Sequence, residues 1–339
     1  MTHIFLIHFF MTHFIKLLFY FSYPRKIWNV IILFSSYWLS VLLKKNLHAG
    51  LPMALSIEPT SFCNLHCTEC PTGNKTLTRP LGTMDLQLFK IIIDQTANQL
   101  VYLNLFLQGE PFLNKQLPDI IAYAYAKNIF TNISTNGHFL DDKTIEKLID
   151  SKLDKIIISL DGVDRQTYSM YRNGGDFNKV VAGIERLVNQ KQFRKSKTPL
   201  VVLQFLMFSF NEHQLDEIKQ LASDLKVDKL EIKSAQIYNF ETKEKLFPKN
   251  QKYARYKIQN KTVNIKSRLP NRCWRAWSSA VITWNGKMLP CCFDKNAEFI
   301  LGDATSFKKN WTSKQNQNFR KQILSNRKQF EMCCNCSEL

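Results

Sequence analysis

Six short runs of β-branched and aliphatic residues alternate with amphipathic stretches between residues 53 and 234, which restricts that part of the chain to a layered α/β architecture. The strand-type runs cover 54–58, 101–107, 129–134, 155–160, 200–207 and 229–233. Helical periodicity takes over near 85–98, 115–127, 141–151, 177–190 and 212–225. Asp85, Asn114, Asp141 and Asn211 stand where N-caps belong. Successive strands joined by helices return in parallel, so six such units predict a parallel sheet with outer helices. The sheet can be open and doubly wound or curled into a partial barrel. Either form puts its chemistry at the C-terminal ends of the strands. The unusual residues fall there: Glu58-Pro-Thr before the first cysteines, Gln108-Gly-Glu-Pro after the second strand, Thr135-Asn-Gly after the third, and Asp161-Gly after the fourth.

The nine cysteines form two groups, with Cys63, Cys67 and Cys70 in one and six beyond residue 272 in the other. An odd count and paired Cys-x-x-Cys spacings point to reduced metal ligands over a disulfide framework. Four thiolates normally saturate a 4Fe–4S cube, so three within eight residues leave one iron open to a small molecule. Zinc is the competing reading, with Cys67 and Cys70 completed by Cys333 and Cys336, but it leaves Cys63 without a task.

Cys63-x3-Cys67-x2-Cys70 after a first strand resembles the signature of the radical S-adenosylmethionine (SAM) superfamily. Glu69 stands where an aromatic residue often precedes the third cysteine. The resemblance implies a partial (β/α)6 barrel, matching the six units, and a SAM-ligated 4Fe–4S cluster. It also implies reductive cleavage of SAM to methionine and a 5′-deoxyadenosyl radical that takes hydrogen from a substrate. The reducing electron would come from a donor such as flavodoxin or ferredoxin. Gln108-Gly109-Glu110-Pro111 resembles the family's GGEP motif, with Gln in the first place, and is expected at the methionine ammonium. Ser134 and Asn136, with Ser159 and Asp161, resemble strand-end motifs that meet the ribose or carboxylate. Arg172 has the planar fork to pair with the SAM carboxylate. Leu203 to Met207 can pack the purine, although a core role suits them as well.

Cys273, the pair Cys291-Cys292 and the closing Cys333-Cys334-x-Cys336 resemble an auxiliary-cluster extension of the SPASM or twitch type. Residues 281–291 read as a hairpin turning on Asn285-Gly286, which brings Cys273 and Cys291 to one metal. Cys273, Cys291, Cys333 and Cys336 suffice for one auxiliary 4Fe–4S cluster, with Cys292 and Cys334 as substitutes; zinc is the alternative metal. The expected organisation is N-terminal apolar helices over 1–50, a radical SAM core over 51–240, a linker over 241–272 and an auxiliary-cluster domain over 273–339.

The N-terminus carries two apolar stretches, 4–22 and 27–43. In the second, Lys26, Asn29, Ser36, Ser40 and Lys44 recur as one polar stripe on an otherwise apolar helix. Such a helix can pack on the catalytic domain, lie in a membrane interface, or span weakly. No small-residue cleavage site follows, and the repeated Met-Thr-His at Met11 offers a second start. A formal charge of +18 suits an acidic partner, whether nucleic acid, anionic lipid or an acidic substrate; no basic run interleaved with aromatics singles out nucleic acid, and the scattered Lys and Arg read first as a solvated surface. These features predict a cytoplasmic protein; peripheral contact at the inner face of the membrane is one reading of the apolar segments, and packing on the barrel is the other.

The leading expectation is a radical SAM enzyme that modifies a peptide or protein or dehydrogenates a small molecule. A lipid- or glycan-modifying radical enzyme is the alternative, and a zinc-stabilised binding protein is the alternative outside catalysis. Lys233, Gln236 and Tyr238 follow the sixth strand where a substrate would meet the radical.

Overall fold

The computed structural model describes residues 23–237, 244–259 and 262–337. The apolar segment 4–22, the second Met-Thr-His and Tyr238 lie outside them.

All six expected strands form: β1 (Ala54–Ile57), β2 (Tyr102–Asn104), β3 (Phe130–Thr135), β4 (Lys155–Ser159), β5 (Leu200–Met207) and β6 (Lys229–Ser234). They pair in parallel and in chain order. A doubly wound sheet reverses its strand order at a switch point, and this one does not. Right-handed crossovers that all advance in one direction put their helices on one face, and strand twist curls the sheet toward the other. The fold is therefore the partial barrel.

The helices are α1 (Pro24–Leu43), α2 (Leu86–Thr96), α3 (Leu117–Ala126), α4 (Asp142–Asp150), α5 (Arg165–Tyr171), α6 (Phe177–Phe193) and α7 (Leu215–Asp224). Asp85 caps α2 by accepting from the Gln87 and Leu88 amides, and Asp141 caps α4 through Thr144. Asn211 stands at the N-cap of a 3-10 turn, Glu212–Gln214, that leads into α7, but its side chain makes no cap bond. Asn114 lies before the Gln116 cap of α3, accepting from the Gln116 amide at 2.9 Å. Asn114 braces loops by donating to the Pro59 and Met84 carbonyls, and Asn211 ties the Asp161 and Leu206 carbonyls together. Helix α5, capped by Asp164, is absent from the sequence reading because seven residues are too few to show a clear period.

Alternation along the strands sorts the side chains. Leu55, Leu103, Ile133, Ile156, Ile158, Leu203, Phe205 and Met207 are fully buried in the core beneath the helices. On the concave face, Ser56, Asn104 and Asn132 lie side by side, as do Ser159, Gln204 and Glu231. Ile157 and Val202 share that face and are buried, so it is apolar between these two polar rows.

Beyond β6 come the hairpin β7 (Tyr256–Gln259) and β8 (Thr262–Ile265), then α8 (Trp274–Ser278), β9 (Ser279–Ile282), β10 (Lys287–Leu289) and β11 (Gly302–Asp303). The expected Asn-Gly turn joins β9 to β10, with Gly286 at φ +79°. β9 pairs in parallel with β1, from Ala54↔Ser279 to Ile57↔Ile282, so the cysteine-rich segment extends the barrel sheet to nine strands. It covers the edge that β1 would otherwise expose. α9 (Phe307–Trp311), α10 (Lys314–Asn326) and α11 (Glu331–Cys334) complete the chain.

Candidate active site

The loop after β1 carries Cys63, Cys67 and Cys70 across the C-terminal end of the barrel. Its shape is imposed by close backbone contact. The Ser61 amide donates to the Gly82 carbonyl at 2.9 Å, Met84 to Pro59 at 2.9 Å, and Glu110 to Phe62 at 2.8 Å. Gly109 sits at φ +74°, and a Cβ there would lie 2.3 Å from the Thr60 carbonyl oxygen. The glycine after β2 is thus required for the second strand's loop to lie against the cysteine loop. Gly73 plays the same part within the loop, since a Cβ there would lie 2.5 Å from the Cys67 nitrogen.

The strand-end residues converge on the three thiols. Asn136 Nδ2 lies 3.9 Å from Cys63 Sγ, Arg172 Nη1 lies 3.8 Å from Cys67 Sγ, and Cys70 Sγ lies 3.6 Å from Gln108 Oε1. Burial pushes the Cys63 thiol up to about 11. Burial also raises Cys67, against the pull of the Arg172 cation. Ligation must therefore expel protons from these thiols. Leu65, Tyr171, Phe208 and Ala235 form an apolar wall around Cys67.

Glu110 is committed within the protein. Its Oε1 accepts from Thr135 Oγ1 at 2.7 Å and its Oε2 from the Asn136 amide at 2.8 Å. Burial raises its carboxyl to about 7, and those hydrogen bonds oppose the shift. Its carboxylate thus holds the turns after β2 and β3 together and leaves the backbone of 108–111 at the rim. Asp161 is fully buried, taking Arg172 Nε at 2.6 Å and the Leu206 amide at 2.7 Å. Burial raises its carboxyl, and the Arg172 charge opposes that rise. Arg172 is therefore aimed by Asp161. The side chains of Ser134 and Ser159 make no hydrogen bond among the described residues. Leu203, Phe205 and Met207 pack in the core, while Leu206 lies beside the Cys67 wall.

Of the residues expected to follow the sixth strand, Lys233 instead lies within β6, is exposed and pairs with Glu231 at 3.1 Å. Burial would raise the Glu231 carboxyl, but Lys229, Lys155 and Lys233 outweigh it and hold the group down at about 2. Gln236 lines a cleft of about 550 Å³. The cleft runs from Pro71 and Asn74, after Cys70, to Phe330, Cys334 and Asn335 in the cysteine-rich segment. A depression of about 420 Å³ on the outer side of α6 is lined by residues remote in sequence from either cysteine group.

In the second group, Arg327 is buried and donates to Cys336 Sγ at 3.2 Å and to the Arg272 carbonyl at 2.9 Å. Burial raises the Cys333 thiol to about 11, and a hydrogen bond from Arg327 opposes the rise. The Arg327 charge also acts on Cys273. Cys291 interacts with Cys292 and Cys273. Cys334 is exposed and turned toward the Lys328 and Phe330 carbonyls. Cys273, Cys333 and Cys336 thus gather about one buried cation.

Two positioning features escaped the sequence reading. Glu58, fully buried, forms a bidentate pair with Arg79 and accepts from the Trp284 amide at 3.1 Å. Arg79 in turn donates to the Lys295 carbonyl at 2.7 Å. One carboxylate therefore couples the cysteine loop to the C-terminal hairpin. Glu58 stood in a noted motif, but its partners lie 21 and 226 residues away and Arg327 carried no signal.

Among the described residues no three His, Cys, Asp or Glu side chains converge closely enough to hold a single metal ion. Zinc requires four donors around one centre. A cube differs, because each thiolate binds its own corner and the sulfurs stand apart. The thiol donors, the glycine-lined loop around Cys67 and the flanking N–H groups suit the cluster.

The radical SAM superfamily model matches residues 57–222, and the SPASM iron–sulfur cluster-binding domain model matches residues 273–337. The chain is 27% identical over 275 residues to a PqqA peptide cyclase of Bradyrhizobium diazoefficiens, covering 75% of this chain and 69% of that protein. It is 33% identical over 174 residues to the mycofactocin maturase MftC of Mycolicibacterium smegmatis, covering 51% and 42%. Among solved structures, Streptococcus suis SuiB bound to S-adenosylmethionine aligns with a TM-score of 0.61 at 16% identity, over 85% of this chain and 72% of that one. BtrN in complex with AdoMet and 2-DOIA aligns at 0.53 and 19% identity, over 85% and 94%. At those identities the structures share the fold.

Proposed function

Because this chain belongs to the radical SAM superfamily and carries a SPASM iron–sulfur domain, we propose that it modifies a peptide by hydrogen abstraction in the cleft between its two cysteine groups. When bound, the cluster and SAM supply a 5′-deoxyadenosyl radical as the hydrogen-abstracting agent. Cys63, Cys67 and Cys70 hold that cluster. Asn136 and Arg172 direct N–H groups at two of the thiolates and fix their orientation. The backbone of Gln108, Gly109, Glu110 and Pro111 and the hydroxyls of Ser134 and Ser159 would bind SAM. The wall of Tyr171 and Phe208 excludes water from the reacting centre. Cys273, Cys291, Cys333 and Cys336 hold the auxiliary cluster, with Arg327 balancing thiolate charge. A one-electron donor such as flavodoxin or ferredoxin supplies the reducing electron.

The observation that carries this reading is the cleft of about 550 Å³ bordered by the loop after Cys70 and by the helix bearing Cys333 and Cys334. A substrate there would lie beside the segments that carry both cysteine groups. The peptide class is favoured by similarity to PqqA peptide cyclases over most of the chain. Anaerobic reconstitution followed by SAM-cleavage assay tests the proposal. We expect about eight irons per chain, the content of two 4Fe–4S clusters. Cys67→Ala should abolish 5′-deoxyadenosine formation, while Cys336→Ala should retain cleavage uncoupled from product. Comparing cellular peptides with and without the protein should reveal a mass change in one of them. A chain that fills with zinc and releases no 5′-deoxyadenosine overturns the reading, as does a mass change confined to lipids or small metabolites.

A further inference from the structure

Helix α1 is built inside out. Lys26, Asn29, Ser36 and Ser40 are buried against the protein, while Ile27, Trp28, Ile31, Phe34, Trp38, Leu39 and Leu42 are exposed. The buried polar residues fasten the helix along its length. Lys26 donates to the Asn128 carbonyl, and Asn29 both donates to and accepts from the Leu51 backbone at 2.7 and 2.9 Å. Ser36 reaches the Ala49 carbonyl, and Ser40 accepts from the Leu47 amide at 3.0 Å. Leu33 and Tyr37 fill the remaining inward positions, with Tyr37 ringed by Trp274 and Trp277 at 5.2 and 5.6 Å. A surface helix of a soluble domain normally turns its apolar stripe inward. Here hydrogen bonds hold the helix, and the apolar stripe is left outside, with Trp28 64% and Leu42 77% exposed.

We propose that α1 is a monotopic docking helix that seats the enzyme flat on an anionic lipid bilayer, with this stripe in the acyl boundary. Length and composition would also allow α1 to cross a membrane. Its contacts forbid that, because Lys26 near one end is bonded to Asn128 and Tyr37 toward the other packs on Trp274 and Trp277. A helix tied at both ends to a polar domain lies along the surface. The charges identify the occupant. Exposed Arg25 precedes the stripe, exposed Lys44 and Lys45 follow it, and the whole chain carries +18. Basic residues flanking a stripe that contains two tryptophans match anionic headgroups above an acyl layer. A second copy of this chain would set those cations against themselves. The sequence just before α1, residues 4–22, is itself apolar and aromatic, which continues the same character toward the N-terminus.

Vesicle flotation of the full-length reconstituted protein tests this. Wild type should float with phosphatidylcholine vesicles containing phosphatidylglycerol and much less with phosphatidylcholine alone. The triple variant Trp28→Gln, Ile31→Gln, Leu42→Gln should bind at least about tenfold more weakly, because it replaces three of the seven apolar side chains of the stripe, among them the two most exposed. Its melting temperature and 5′-deoxyadenosine yield should match wild type, since none of the three side chains is buried. Lys44→Gln with Lys45→Gln should weaken binding to the anionic vesicles alone, by about fivefold for each lysine. Wild type that stays with the soluble fraction in both cases overturns the proposal, and so does a triple variant that floats like wild type. A wild-type dimer that the triple variant converts to monomer, without any vesicle binding, assigns the stripe to a second copy and also overturns it.

Discussion

Glycine 109 shows how much one residue can decide. Its φ of +74° and the 2.3 Å approach of an added Cβ to the Thr60 carbonyl leave no room for a side chain. Gly109→Ala should destabilise the fold by about 2 kcal/mol or more, from left-handed strain and from separation of the two loops. Urea unfolding measures the first effect, and iron content after reconstitution should fall with it. Unchanged stability together with full iron loading would mean that the loops can part without consequence. The same scale shows what a sequence hides. The Gln-Gly-Glu-Pro motif was visible, and so was its place after β2. That the Glu110 carboxylate is spent on Thr135 and Asn136 depends on how two loops meet. Arg327 was invisible for the same reason, since an arginine in a C-terminal segment carries no mark of the thiols it will face.

At the scale of elements, the strand positions were legible because period-two burial and turn residues are local signals. The short helix α5 was not, and neither were the partners of Asn114 and Asn211. The join between β9 and β1 is the larger gap, for nothing local in Ser279–Ile282 says which edge it will cover. Glu58 reinforces that join by holding Arg79 on one side and the Trp284 amide on the other. Glu58→Gln leaves the buried Arg79 cation without its counter-charge, which should cost about 3 kcal/mol. Mössbauer spectra of the variant should show reduced occupancy at the Cys63 group, with the Cys273 group largely retained. Equal loss at both would mean that Glu58 supports the whole fold instead of the junction.

For the whole molecule, pH should act through groups that the fold withdraws from water. Burial drives the His48 ring down to about 3, the Arg320 charge adds to the effect, and a hydrogen bond to the Trp277 carbonyl opposes it. An unfolded histidine titrates near 6.5, so the unfolded chain binds the extra proton between these values. His48 therefore contributes stability in full above about pH 6.5 and loses it as pH falls toward 3. With discount for partial exposure, the loss at pH 5 is about 1 kcal/mol. His48→Gln should remove that part of the difference between urea midpoints at pH 7 and pH 5, and an unchanged difference would assign the slope elsewhere. Glu110 works in the other sense. Its carboxyl is raised to about 7, so its share of stability is present below the ordinary carboxylate range and is lost as pH rises through 7. By itself the sequence determined the β/α alternation, the spacing of Cys63, Cys67 and Cys70, the hairpin at Asn285-Gly286 and a polar stripe on an apolar helix, because each is written in neighbouring residues. Only the tertiary structure decided that strand order makes a barrel, that the cysteine-rich segment joins it through β9, and that the stripe on α1 faces inward. Those outcomes rest on contacts between residues tens to hundreds of positions apart, whose pairing is settled by burial and hydrogen-bond satisfaction over the whole chain.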